Sequence, residues 1–510
     1  MDHYNLKITF FVKSLLIGVA VLFGACSQPE PAIPPEKILA KVGDRIITTD
    51  EFIRRAEYTI RPTYCRQDYY IHRKIVLNSL IAEKMLALEA GADNELVLNE
   101  EFRNYIKGRR EQAMRQVYYL RKAWEKANPD TALVNKVYQL AGRKYQIHYL
   151  RLPDEATVAQ FLHLHAMQNI SFDSLAADLL NGAPIPQREI SFKDDLSDEY
   201  QEIFYSEPLT KNQLLGPLQN PDGSWMIMQI SGWTTEPAVS EWDIRQRYQD
   251  VYDKLKTQAA NRVYSAEVAR LMQGKKMELR EQTFFRLAEI LAPVYLKNLD
   301  DKKRAFNQRF WGANSEIELD PSWNADVEQI REEPLLDFDG KVWRVADLEK
   351  AIQSHPLVFR KRQISRREFP EQLKLAIADL LRDLRINTAA YQAGYDKLPE
   401  VENYTALWQD NLLAIYQRNR YLEKFGALAE FGKNYTRVIE TVMNPIVDSL
   451  QVRYNDKIQI NTEAFEKIQL TDIDLFAVQK GVAYPIVSPS FPLLTTDNKL
   501  DYGSRLTITE

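Results

Sequence analysis

The sequence predicts a mostly helical α+β protein, in which one small α/β module is inserted into a helical frame and a second half partly repeats the first. Long amphipathic runs fill most of the 510 residues, and only 18 residues are glycine. Residues 139–236 instead alternate short strands, short helices and loop prolines. Two stretches about 300 residues apart share the same pattern of a short strand followed by a helix, which indicates an internal repeat.

The N-terminal 25 residues predict a signal peptide. Residues 15–24 form an apolar core of about ten residues, half of the roughly 20 needed to span a bilayer. The core ends in Phe23-Gly24-Ala25-Cys26, which resembles a bacterial lipoprotein signal and makes Cys26 the expected lipidation site. Ordinary secretion with an incidental cysteine is the alternative. Residues 26–36 are rich in proline and predict an extended tether.

This N-terminus predicts a location in the bacterial cell envelope. The protein would be lipid-anchored and would face the periplasm, with the outer membrane favoured over the inner. The 66 basic and 71 acidic residues nearly balance and form no basic stripe, so no nucleic-acid partner is expected. The sequence contains no motif typical of a metal site and no phosphate-binding glycine loop, so no metal or cofactor is expected. The second cysteine, Cys65, has no partner for a disulfide framework.

Residues 37–138 predict a helical segment that opens with a β-hairpin. Two short strands, 38–42 and 45–47, flank a Gly43-Asp44 turn. Thr48 then opens a helix, and Glu51 stands three residues later as a capping box requires. A second helix carries one apolar stripe, and a third spans roughly residues 99–126. The stripe consists of Leu77, Leu80, Ile81, Met85 and Leu88.

The inserted module, 139–236, is followed by helices returning to the frame over 237–300. Residues 301–510 then form a C-terminal helical domain that partly repeats the first segment. The sequence "FDGKVWRVADLEKAI" matches "VGDRIITTDEFIRRA" at an offset of 296, and "LLRDLRINTAAYQAGYDK" matches "LIAEKMLALEAGADN" at an offset of 300. The two offsets nearly agree, which indicates a duplication without the insert.

Several motifs resemble one family. The opening strand–helix stretch followed by "LIAEKMLALEAGA" resembles the N-terminal chaperone segment of SurA/PrsA/PpiD-type extracytoplasmic foldases. The module resembles their parvulin-type peptidyl-prolyl cis-trans isomerase domain, and the likeness covers roughly residues 37–290. His148-Tyr149-Leu150 stands for the family's "HIL" strand, and Glu155-Ala156 lies in the helix that follows. The remaining matches are Phe172 to Ala176 for "FxxLA" and Gly216-Pro217 for the turn before the closing strand.

The resemblance implies site residues for proline isomerisation. Rotation about the X–Pro bond faces a barrier of about 18–20 kcal/mol, which an apolar pocket and preorganised polar groups would lower. His148 matches the first of two family histidines, whereas Met226 stands at the second. Leu196 and Tyr200 keep the spacing of the proline-pocket pair, and Phe192 and Met226 are further expected substrate-binding residues. His148 is either the remnant of the catalytic network or an ordinary strand residue.

The resemblance therefore implies a membrane-tethered foldase or chaperone that binds unfolded clients through extended, proline-containing segments. Its peptidyl-prolyl isomerase (rotamase) activity would be weak or lost, because the second histidine is missing. The alternative is a non-catalytic scaffolding lipoprotein with one dedicated envelope partner. A basic run at 359–368 predicts a solvated loop or a contact with anionic lipid headgroups.

Overall fold

The protein is a mostly helical α+β protein, as predicted. A computed structural model describes residues 33–194, 196–220, 223–296, 326–361, 364–471 and 487–506. The predicted signal peptide, Cys26 and most of the tether lie outside these residues. The chain divides into two compact units. Unit two is Tyr118–Gln273, and unit one combines the chain before and after it.

Unit one opens with the predicted hairpin and helices. Its first elements are β1 (Ile38–Val42), β2 (Arg45–Thr48), α1 (Thr49–Glu57), α2 (Tyr70–Ala90), α3 (Glu95–Leu98) and α4 (Glu100–Lys122). Thr48 caps α1 by accepting a hydrogen bond from the Glu51 backbone N–H at 3.0 Å. The Glu51 carboxylate lies 2.9 Å from Lys84 Nζ in α2. The helix start is therefore as predicted, but the Glu51 side chain pairs with a buried lysine.

Unit two contains a four-stranded antiparallel sheet with helices on both faces. Its elements are α5 (Thr131–Leu140), β3 (Arg143–Leu152), α6 (Glu155–Met167), α7 (Phe172–Leu179), β4 (Gln187–Ser191), α8 (Asp198–Tyr205), β5 (Leu214–Gln219), β6 (Trp225–Thr235) and α9 (Glu241–Met272). The strand order is β4-β3-β6-β5, so the first and closing strands of the module are neighbours.

Each face of this sheet has its own apolar core. Tyr145 and Ile147 of β3 pack with residues of α5, α8 and α9 on one face. Leu150 and Leu152, which follow on the same strand, pack with residues of α6 and α7 on the other. Successive side chains of a strand point to opposite faces, so the parity of a β3 residue decides which core it joins.

Unit one then continues with the second half of the frame. Its elements are β7 (Met277–Leu279), α10 (Glu281–Tyr295), β8 (Pro334–Phe338), β9 (Lys341–Arg344), α11 (Val345–Ser354), α12 (Phe369–Gln392), α13 (Pro399–Lys424), α14 (Leu428–Phe431), α15 (Tyr435–Val438), a π-helical turn (Ile439–Met443), α16 (Asn444–Arg453), β10 (Ile458–Ile460), α17 (Thr462–Glu466) and β11 (Ser504–Arg505). Among the described residues, none of the helices is both long and apolar enough to cross a membrane.

The two halves of unit one have the same element order. In the first half, the hairpin of β1 and β2 leads into α1 and then into the long helices α2 and α4. In the second half, the hairpin of β8 and β9 leads into α11 and then into the long helices α12 and α13. Corresponding elements begin at Ile38 and Pro334, Thr49 and Val345, Tyr70 and Phe369, and Glu100 and Pro399. These pairs keep a nearly constant spacing, so the repeat seen in the sequence corresponds to a repeated unit of hairpin and helices.

The two halves exchange strands. Strand β7, which follows the first half, pairs with β8 of the second, whereas β10 of the second half pairs with β1 of the first. Helices of the two halves also pack against each other, α13 against α2 and α10 against α12. Each half completes a sheet and a core of the other.

A buried polar network lies where α2 meets α13. Arg55 donates two hydrogen bonds to the Glu83 carboxylate, at 2.8 and 3.1 Å, and both side chains are fully buried. Asn411 donates to Glu83 at 2.7 Å, and Lys84 Nζ lies 3.0 Å from the Asp410 carboxylate. Buried charges need partners, and here the partners come from both halves.

The helices predicted to return to the frame over 237–300 are α9 and α10, with the short strand β7 between them. One detail of the predicted secondary structure was wrong. Gly216 and Pro217, expected in a turn, lie within edge strand β5 at a bulge in its pairing with β6. An edge strand tolerates proline because its outer side needs no ladder donor.

Candidate functional site

His148 lies on the sheet face that packs against α6 and α7. Its Nδ1 is 3.1 Å from a carboxylate oxygen of Asp173, in the first turn of α7. The His148 side chain is 20% exposed and the Asp173 side chain 59% exposed. The pair ties β3 to α7, and a pair this exposed contributes at most about 1 kcal/mol.

Leu196, Tyr200 and Met226 all lie on the opposite face of the sheet. All three are half-buried and pack against the apolar core that contains Tyr145 and Ile147. Tyr149, one residue after His148, joins the same group. We call Tyr149, Leu196, Tyr200 and Met226 the tyrosine face. The structure therefore brings three predicted contact residues together and separates them from His148.

The register of β3 and β6 explains the separation. Across this pair, Gln229 is the direct partner of His148, and Met226 is the direct partner of Arg151. Directly opposed residues share a face, so Met226 lies with Arg151 and Tyr149. The position that the resemblance assigned to a second histidine is thus on the other side of the sheet from the first.

Two arginines flank the tyrosine face. Arg151 and Arg188 are exposed, and both occupy positions on the same side of the sheet as Tyr149. Burial raises the pKa of Tyr200 and the nearby Glu199 charge adds to this, whereas Arg188 opposes it. The Tyr200 phenol therefore stays neutral at physiological pH and can act as a hydrogen-bond donor.

Phe192 belongs to the core beneath this face. Its ring packs edge-on against Tyr205, with centroids 5.1 Å apart, and Lys254 Nζ lies 5.0 Å from the Phe192 ring. The residue is 4% exposed and lines a separate cleft of about 300 Å³ next to Trp242. Phe192 therefore belongs to the buried core against which the tyrosine face packs, and it is not part of the exposed face itself.

Sequence reasoning missed Tyr149, Arg188 and Asp173. Strand alternation is the signal that could have found Tyr149, because adjacent residues cannot share a face and the apolar residues of β3 set the parity. Arg188 and Asp173 come from β4 and α7, and their positions depend on tertiary packing that the sequence pattern does not give.

The tyrosine face is suited to binding extended polypeptide. Tyrosine rings present flat apolar area with a polar tip, and aromatic surfaces bind the preformed extended conformation of proline-containing segments. The flanking arginines can donate hydrogen bonds to backbone carbonyl groups of such a segment.

Comparisons with known proteins add little to this geometry. No family model matches the chain, and no curated protein sequence matches it. One matching solved structure is the foldase protein PrsA from Streptococcus pneumoniae, at 12% identity and a TM-score of 0.20. The match covers 43% of this chain and 85% of that one. At that score the likeness carries no argument about function.

Proposed function

We propose that this protein is a membrane-tethered folding factor of the bacterial cell envelope. It holds extended, proline-containing segments of unfolded client proteins on the tyrosine face of its inserted module. The proposal is supported by the position of Leu196, Tyr200, Met226 and Tyr149, which are half-buried and pack against one apolar core on the same face of the sheet. Such binding depends on apolar contact and backbone hydrogen bonds, so it is weak and tolerant of sequence.

The proposal includes little or no prolyl isomerase activity. Catalysis of this rotation needs polar groups aimed at the twisted amide in the same pocket that holds the proline. His148 and its partner Asp173 lie on the other face of the sheet from Tyr200. One missing preorganised donor costs about 10²–10³-fold in rate, so a binding function persists where catalysis does not.

Fluorescence anisotropy of a labelled ten-residue peptide tests the binding function. The peptide carries one proline between apolar residues and is titrated with the chain that begins at Ser27. We expect Tyr200→Ala to weaken binding at least about fivefold, since truncation of an aromatic contact residue commonly costs more than about 1 kcal/mol. Replacing the peptide's proline with alanine should also weaken binding.

Tyr248→Ala is the matched control. Tyr248 is a 38% exposed tyrosine of α9, in the same unit but outside the tyrosine face. We expect Tyr248→Ala and His148→Ala to bind the peptide like the unmodified chain. If His148→Ala abolished binding while Tyr200→Ala left it intact, the proposed site would be on the wrong face.

A scaffolding lipoprotein is the alternative, and aggregation of a denatured client separates the two. A folding factor delays the aggregation of several unrelated clients at near-stoichiometric amounts, and Tyr200→Ala reduces this effect. A scaffold binds one folded partner and leaves the aggregation of all clients unchanged. A standard proline-peptide isomerisation assay on the same preparation measures any residual catalysis.

A further inference from the structure

Four large apolar side chains are exposed between helix α1 and the first turn of α2. Ile60 is 71% exposed, Tyr69 64%, Tyr70 45% and Ile71 54%. We call these four residues the loop patch. A single exposed apolar residue is ordinary, but several of them around one short loop indicate an interaction surface.

The loop patch is held in a defined shape. Arg61 donates hydrogen bonds to the backbone carbonyls of Cys65 and Gln67, at 2.8 and 3.3 Å, and so closes the loop between Ile60 and α2. The Tyr70 hydroxyl donates to Glu466 of α17 at 2.6 Å. Its exposed side chains are therefore presented by a fixed backbone.

The charge of this region favours an anionic partner. Residues 60–74 contain four cationic side chains and one acidic side chain, although the whole chain has a net charge of −5. Arg61 is buried and Arg73 lies 3.6 Å from Asp68, so Arg66 and Lys74 supply most of the accessible positive charge, and Glu466 is an acidic neighbour from α17. Arg73 and Lys74 lie 5.8 and 5.7 Å from the Tyr70 ring centroid. Tyrosine, isoleucine and basic residues together are typical of surfaces that rest in the interface of an anionic lipid bilayer.

The start of the described fold lies close to this patch. Asn461 donates to the Ile38 carbonyl at 3.2 Å, and the same residue caps α17. Helix α17 has five residues and is about 7 Å long, and its last residue, Glu466, holds Tyr70. Ile38 is the twelfth residue after Cys26, and extended proline-rich chain spans about 3.1 Å per residue, so a lipid on Cys26 would keep Ile38 within about 40 Å of the membrane.

We propose that the loop patch rests on the anionic phospholipid surface into which the N-terminal lipid inserts. The proposal depends on the lipid tether at Cys26 that the proposed function includes. The other basic run, 359–368, is a weaker candidate, because none of its described large apolar side chains is exposed.

Vesicle flotation of the lipid-free chain that begins at Ser27 tests the proposal. We expect about ten times more of this chain to float with vesicles containing about 30% phosphatidylglycerol than with pure phosphatidylcholine vesicles. High salt should abolish the flotation, because it screens the attraction between the basic side chains and the anionic lipid. The double variant Ile60→Ser/Ile71→Ser should reduce flotation at least about tenfold. Val358→Ser/Val452→Ser is the matched control, since these valines are 69% and 80% exposed elsewhere in unit one. Circular dichroism checks that both variants fold.

The proposal is overturned if the unmodified chain does not float, or if both double variants float equally. It is also overturned if Ile60→Ser/Ile71→Ser floats normally but no longer delays client aggregation, since the loop patch would then bind clients. Peptide binding through Tyr200 is measured on the same preparations. If the chain floats but does not bind the peptide, the proposed binding function is contradicted, whereas the membrane contact is still supported.

Discussion

At the scale of single residues, Gly108 in α4 lies against the backbone of Ser354, the last residue of α11. A Cβ added at Gly108 would overlap the Ser354 carbonyl oxygen and lie 2.9 Å from its carbon. Alanine gains about 1 kcal/mol of helix propensity, but backbone overpacking costs about 1–3 kcal/mol and a backbone carbonyl cannot rotate away. We therefore expect Gly108→Ala to lower the stability of unit one by about 1–2 kcal/mol, measured by hydrogen exchange of α4 and α11 amides.

Gly432→Ala is the control for this prediction. Gly432 has helical backbone angles, and its nearest atom to an added Cβ, the Ala429 carbonyl oxygen, is 3.7 Å away. This variant should be neutral or slightly stabilising. Equal protection of the α4 amides in both variants would contradict the close approach at Gly108.

Lys84 is a second residue whose role can be tested. Burial alone would lower its pKa, but the carboxylates of Glu51 and Asp410 outweigh burial and raise that pKa, so the lysine stays charged. Lys84→Met leaves Glu51 without its cation, whereas Asp410 keeps Arg45, so we expect a loss at the lower end of about 3–5 kcal/mol in denaturant unfolding. Lys467→Met, at an exposed pair with Glu463 3.1 Å away, should leave the unfolding curve unchanged. A similar effect of both variants would mean that the Lys84 network contributes little.

The predicted site residues show what sequence patterns give at this scale. The spacing of Leu196 and Tyr200 correctly predicted that both side chains serve one surface, since Leu196, just before α8, and Tyr200, in α8, pack against the same core as Met226. His148 was grouped with them because a motif match gives residue types and spacing but not the face of the sheet to which each side chain points. The alternation along β3 predicts that Ile147 and Tyr149 share one face and that Leu150 lies on the other. Only the tertiary packing shows which helices cover each of these faces.

At the scale of elements, Glu267 of α9 is joined to Tyr118, the residue of α4 at which unit two begins. This carboxylate accepts hydrogen bonds from Arg270, at 2.9 Å, and from the Tyr118 hydroxyl, at 2.5 Å. The bond from Arg270, followed by that from Tyr118, lowers the pKa of Glu267 to about 2, against the opposing effect of burial.

A lowered carboxyl pKa stabilises the folded state above the unfolded value of 4.5, and this stabilisation is lost as the pH falls towards about 2. We expect Glu267→Gln to be about 1 kcal/mol less stable than the unmodified protein at pH 7, because a charge-assisted hydrogen bond is lost. The difference should shrink between pH 4.5 and about 2. Hydrogen exchange of α9 amides across this range measures it, and a pH-independent difference would contradict the ionised role of Glu267.

Most long elements follow from the sequence, whereas the short strands do not. The apolar stripe of α2 and the alternation of β3 are strong periodic signals. Strands β7 and β10 have three residues each, too few for any period, and their partners lie in the other half of the frame. The repeat was visible from its offsets, but the exchange of strands between its copies depends on long-range pairing that no local pattern encodes.

At the scale of the whole molecule, the exchange makes the two halves of unit one depend on each other. We predict that halves separated within residues 297–325 and produced individually leave unit one unfolded, because β1 lacks β10 and β8 lacks β7. Mixing the halves should give a one-to-one complex with restored helical circular dichroism and one peak in size-exclusion chromatography. Independent cooperative unfolding of both halves would contradict the exchange.

The proposed function combines this interlocked frame with an inserted binding module. The frame supplies stable helices, the module supplies the tyrosine face, and the predicted lipid on Cys26 supplies the location. Each part can fail separately in the experiments above, because peptide binding, flotation and reconstitution are measured on different variants.

Site-specific photocrosslinking tests most directly that clients bind the tyrosine face. A benzoyl-phenylalanine is placed at Leu196 in one chain and at Asp173, beside His148, in another. We predict that a proline-containing client peptide crosslinks to the chain with the probe at Leu196 and not to the chain with the probe at Asp173. Crosslinking at Asp173 with none at Leu196 would contradict it.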